Sequence, residues 1–196
     1  MKAPLMPEFI NKMENFIKIQ LKEKMGRLFI FLVLLFAPGF SVKAIAIFFI
    51  SASMLPADIK NRRDEAFYFL PFSRKELYLY NLGFLLLLVL ASSIITQALW
   101  PTTIAEKGMF SIKSINFTLA MFGVVMLCVS QGLDNIGWPF IIVLLDALLG
   151  SIGRASINPY SWISFTNQGN ILFAFVFAAI ICFAGYWIYL KNGGEL

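Results

Sequence analysis

The chain has 196 residues, 59% of them hydrophobic and 14% charged, with 21 Phe and a formal net charge of +5. A soluble domain of this length has no room to hide so much apolar surface, so the composition reads as an integral membrane protein. The chain has no His and no GxxxxGK[ST] string. This removes serine–histidine hydrolysis, histidine-ligated zinc, histidine proton relays and a P-loop from consideration.

Residues 8–25 predict an amphipathic helix. Ile10, Met13, Phe16, Ile17 and Leu21 recur at helical spacing, and Lys12, Lys18, Lys22 and Lys24 take the polar remainder. Such a helix suits the cytoplasmic headgroup layer, its lysines reaching for lipid phosphates. No cleavable signal peptide is expected, because the first strong apolar run begins at Leu28, after a polar lead-in, and no small-residue cleavage site closes it. Residues 26–57 hold two apolar runs around Pro38, Gly39 and Lys43. One helix of about 30 residues would be about 45 Å long, too much for a hydrocarbon core of about 30 Å. Two spans joined by a Pro-Gly turn are expected instead.

Residues 77–100 read as span 3, with LLLLVL in the middle and Tyr78, Tyr80 and Trp100 at the edges, as a headgroup belt requires. Residues 114–130 read as span 4 and, after the tight loop QGLDNIG, residues 138–152 as span 5, with Pro139 in the first turn. Residues 151–170 are broken by Gly153 and Pro159 yet too apolar for an ordinary loop, and are expected to dip partly into the membrane. Residues 171–190 read as span 6, closing on Tyr186, Trp187 and Tyr189. Cys128 and Cys182 lie inside apolar runs and read as buried packing residues, not as a disulfide or a metal pair. The expected fold is all-α and polytopic, one transmembrane domain of six helices.

Six spans leave both termini on one side. That side then carries Lys2, Lys12, Lys18, Lys22, Lys24, Arg27, Lys60, Arg62, Arg63, Arg74, Lys75 and Lys191, against Lys43, Lys107, Lys113 and Arg154 on the other. Twelve against four is a positive-inside bias, which predicts cytoplasmic termini in a cell (plasma or inner) membrane. The cations flank apolar spans, where anionic lipid accounts for them; no nucleic-acid partner is expected.

Residues 58–76, DIKNRRDEAFYFLPFSRKE, form a charged island between apolar blocks. Pro71 removes a helix donor and pushes Leu70 out of the α region, so a short helix over 63–70 should end there. Ser73 and Glu76 form an S-x-x-E capping box for a new helix, and Phe72 with Leu77 matches the hydrophobic staple. A break held in this way transmits a push. Beside membrane spans, a basic loop also serves simply as an orientation signal.

Asp58-x-Lys60-Asn61, followed by Leu70-Pro71-Phe72-Ser73-Arg74-Lys75-Glu76, resembles the permeases of ABC-2 type transporters. In that family an acidic stretch after the second span leads to a Leu-Pro-x-Ser-Arg-like motif before the third. Asn81-Leu82-Gly83 departs from the family's frequent basic residue near this point. The resemblance implies a subunit without catalysis of its own and without a cofactor. ATP and Mg would be held on separate ABC ATPase subunits, and a second permease chain, identical or different, would complete the assembly. It further implies that residues 58–75 act as a coupling helix seated on the ATPase. Arg62, Arg63, Asp64, Glu65, Arg74 and Lys75 would then make the polar contacts, and Phe67, Tyr68 and Phe69 the aromatic anchors, with Pro71 and Ser73 fixing the break. A rival reading is a membrane-embedded immunity or resistance protein that works by binding, without an ATPase.

Asp146 is the one acidic residue deep in a predicted span, and an intramembrane carboxylate faces protein or water. It either lines a transport path or pairs with a partner chain, or it is protonated or hydrogen-bonded locally. Arg154 lies eight residues on, about 12 Å along a helix, too far for direct pairing. Ser92, Ser93, Thr96 and Gln97 in span 3, and Ala174, Ala178 and Gly185 in span 6, read as close-packing residues.

Overall fold

The computed structural model describes residues 12, 14, 18, 22, 24 and 26, then 28–61, 72–100, 104–153 and 158–192. All described residues from 12 to 34 are helical. The chain then turns through Pro38 and Gly39 into α1 (Phe40–Ser53). Next come α2 (Leu55–Lys60), α3 (Arg74–Leu99), α4 (Ile104–Val129), α5 (Gly137–Ser151), α6 (Tyr160–Ile163) and α7 (Ile171–Asn192). There is no strand among the described residues.

Among the described residues, three helices are long and apolar enough to cross a membrane: α3, α4 from residue 106 onward, and α7. Their outer faces are greasy. Leu87, Ile94 and Leu99 on α3, and Leu172, Ile180, Phe183 and Trp187 on α7, stand more than half exposed. A water-soluble surface does not carry apolar patches of this extent, whereas lipid covers them. The protein is an all-helical membrane protein. α1 and α5, at 14 and 15 residues, are apolar but shorter.

α4 is the hub, with α1, α3 and α7 packed around it. Its closest partner is α7, which buries a stripe of Ala174, Ala178, Cys182, Gly185 and Tyr189. At the crossing a Cβ on Gly123 would lie 2.7 Å from the Cys182 backbone, and one on Gly185 2.9 Å from the Gly123 carbonyl oxygen. Small residues thus let two backbones touch, the usual way apolar helices gain contact where water gives no drive. The Tyr78 hydroxyl reaches over from α3 and donates to the Cys182 carbonyl at 2.7 Å. Its ring packs among Phe122, Tyr186 and Tyr189.

Contacts fix the helix directions. Lys43 near the start of α1 meets Ser93 late in α3, Gln97 of α3 meets Ser111 early in α4, and Asn116 of α4 meets the Ile171 carbonyl at the start of α7. α1, α4 and α7 therefore run one way and α3 the other. The bundle has a Lys43 end and a Tyr78 end. Lys12, Lys24, Lys60, Arg74, Lys75 and Lys191 gather at the Tyr78 end, Lys107 and Lys113 at the other.

Three details differ from the sequence reading. α4 begins at Ile104, ten residues before the expected span, because Glu106, Lys107 and Lys113 interrupt apolarity without interrupting helix. Lys43, expected at the hairpin turn, is the fourth residue of α1 and fully buried; its ammonium donates to Ser93 Oγ at 2.7 Å and lies 4.9 Å from the centre of the Phe110 ring. The second apolar run breaks at Met54 (φ −84°, ψ −133°), ahead of Pro56, so that α2 sets off separately.

Candidate functional site

The roots of the charged island are well defined. Ser73 caps α3 as the spacing predicts: its N–H donates to Glu76 Oε2 at 2.7 Å, and the Glu76 N–H donates to Ser73 Oγ at 3.3 Å. Phe72 is buried, with its ring edge-on to Tyr80 at 6.0 Å. Arg74 is half-buried and Lys75 exposed. Arg62, Arg63, Asp64, Glu65, Phe67, Tyr68, Phe69 and Pro71 lie outside the described residues.

The N-terminal helical residues touch both roots. Lys24 donates to Asp58 Oδ2 at 2.6 Å, with Lys24 6% and Asp58 3% exposed. Lys12 lies 3.9 Å from Glu76 Oε1, the carboxylate whose other oxygen closes the capping box. The two pairs differ in weight. The Lys12–Glu76 pair is partly solvated and contributes little. The Lys24–Asp58 pair is buried, and losing either partner would strand a charge away from water. Sequence reading assigned these lysines to lipid phosphates and missed both pairings, whose partners lie 34 and 64 positions away.

The second candidate is Asp146, on the side of α5 facing the 158–170 segment. It is 2% exposed. Tyr160 donates its hydroxyl to Oδ1 at 2.7 Å. Oδ2 accepts from Ser164 Oγ at 2.8 Å, Thr166 N at 3.0 Å and Thr166 Oγ1 at 2.7 Å. An ionised carboxylate is acceptor-only, and four donors converge on this one. Among the described residues no ammonium or guanidinium is paired with it. The donors come from a segment folded back on α4. Gln168, at φ 50°, donates to the Lys113 and Phe165 carbonyls and accepts from Asn116 Nδ2. Phe165 is buried against Phe117. Thus the apolar residues that marked this stretch as unlike a loop pack inward in part, while Trp162 remains exposed.

Among the described residues no His, Cys, Asp and Glu group could hold a metal ion. Comparison with family models, with curated proteins and with solved structures gave no match.

Proposed function

We propose that this chain is the transmembrane subunit of an ATP-driven exporter of the ABC-2 type. In this reading it crosses the cell membrane six times with both termini in the cytoplasm, pairs with a second permease chain, and seats residues 58–75 on separate ATPase subunits that carry ATP and Mg. The observation that carries the proposal is the way the two roots of the island are held. Lys24 pairs with Asp58 inside the protein, and Lys12 lies beside Glu76 at the surface, so N-terminal helical residues meet both roots of the 62–71 connection. A segment pushed from outside can move helices only when its ends are stiff, and here the start of α3 is capped and the exit of α2 is held by the buried Lys24–Asp58 pair. The gathering of cations at the Tyr78 end supports placing that end in the cytoplasm.

The test is purification from mild detergent with identification of companions. An ATP-binding subunit is expected to copurify, its hydrolysis rate is expected to rise in the presence of this chain, and replacing Glu65 and Arg74 is expected to remove the stimulation. Full activity of the chain alone, or a topology map with residues 60–75 on the outer side, would overturn the proposal.

A further inference from the structure

The backbones of α1 and α5 stay apart, and a cleft of about 370 Å³ lies between them. Phe40, Phe48 and Phe49 of α1, Phe140 of α5 and Phe117 of α4 line it. The rings meet in pairs: Phe48 meets Phe140 at 6.1 Å and Phe40 meets Phe117 at 6.0 Å. The remaining wall includes Thr166, whose hydroxyl donates to Asp146 Oδ2 at 2.7 Å. A buried carboxylate held by neutral donors therefore stands directly behind one wall of an aromatic cleft.

These features complement a single kind of occupant. Aromatic ring faces attract cations. A carboxylate buried away from water, with only neutral hydrogen-bond donors about it, acts over several ångströms because little solvent screens it. The cleft takes up an apolar body, and its polar wall lies beside the charge. A plain acyl chain would use the apolar volume alone, and a hydrophobic anion would be opposed by both the rings and the carboxylate.

We propose that this cleft binds lipophilic cations, in which an ammonium or phosphonium centre is surrounded by aromatic or aliphatic groups. Asp146 supplies the counter-charge through the Thr166 wall. That such compounds are the exported cargo rests on the exporter reading; the binding itself does not.

Tetraphenylphosphonium and tetraphenylborate have the same shape and opposite charge, and serve as the probes. Equilibrium dialysis of the purified chain in detergent, corrected with empty micelles, measures the saturable component. The phosphonium is expected to saturate, and the borate to bind at least about tenfold more weakly. Asp146→Asn is expected to erase that preference. Ala147→Phe, which keeps the carboxylate and fills the cleft, is expected to abolish saturable phosphonium binding, and it decides the matter where Asp146→Asn fails to fold. Equal saturation by the two ions, undiminished binding to Ala147→Phe, or absence of saturation because lipid chains hold the cleft would each overturn the proposal. No ATPase is present in the assay. Cation binding by a chain that recruits no ATPase would sink the exporter reading alone, and an ATPase complex blind to the charge of the probe would sink this proposal alone.

Discussion

Gly123→Ala tests the closest helix approach in the bundle. The new Cβ would lie 2.7 Å from both the Cα and the N of Cys182 and 2.8 Å from the Ile181 carbonyl carbon. Carbon atoms settle at about 3.5–4.0 Å, so α7 must retreat by roughly 1 Å. The obstructing atoms are backbone and cannot rotate aside. A retreat of that size forfeits about a quarter to a half of the dispersion energy along the contact, here the stripe from Ala174 to Tyr189. It also pulls the Cys182 carbonyl away from Tyr78, a hydrogen bond worth about 1 kcal/mol net. With overpacking at about 1–3 kcal/mol, the gross cost is about 2–4 kcal/mol. The helical preference for Ala over Gly offsets about 0.5–1 kcal/mol of it. The expected net loss is about 1–3 kcal/mol. Gly108→Ala, in the same helix, is the control: a Cβ there meets nothing within 4 Å, and a gain of about 0.5–1 kcal/mol is expected. Thermal unfolding of both variants in one detergent measures the difference. Equal midpoints would refute the close α4–α7 contact and the packing argument built on it.

Three further outcomes follow from buried or capped charges. Lys24→Met or Asp58→Asn alone should cost about 3 kcal/mol by stranding a charge, whereas the double replacement should cost much less; additive losses in denaturant titration would contradict the buried pair. Lys43→Met should stabilise by about 1–2 kcal/mol, since it removes a desolvated ammonium while Ser93 Oγ keeps its bond to the Val89 carbonyl; a lower melting midpoint would mean that the Ser93 and Phe110 contacts outweigh desolvation. Asp134 accepts from the Gly137 N–H at 2.7 Å and the Ile136 N–H at 3.0 Å, and these donors hold its carboxyl below the usual carboxylate range. Its contribution is therefore complete above an unfolded pKa of about 4 and is lost as pH falls through the lower folded value. In the exposed loop it amounts to less than about 1 kcal/mol. Asp134→Ala should flatten the stability profile in that acid window, and an unchanged slope would assign the pH dependence elsewhere.

What the sequence discloses here depends on how far apart the interacting groups lie. The Ser73–Glu76 cap is legible because both partners and the backbone they satisfy sit within four residues. The small-residue face of α7 is legible because helical spacing alone brings Ala174, Ala178 and Gly185 to one side. Lys43 is not, since its burial depends on Ser93 and Phe110 on two other helices. Gly123 gives no signal, for a glycine in an apolar run looks the same whether or not another backbone rests on it. Asp146 lies between these cases. The cost of an intramembrane carboxylate flags the position, but its donors arrive 14 to 20 residues later on an irregular segment whose path no periodicity describes.

That α4 and α7 point the same way has a further consequence. A polypeptide that threads a bilayer twice in one direction must traverse it an odd number of times between, and residues 130–170 are what joins the two. Among the described residues the longest apolar helix there, α5, has 15 residues, about 22 Å against a slab of about 30 Å. In the proposed six-span reading α5 makes that crossing, and the missing 8 Å or so is a hydrophobic mismatch to be met by local pinching of the lipid. On that reading, host bilayers built from progressively longer acyl chains should strain this part of the molecule first.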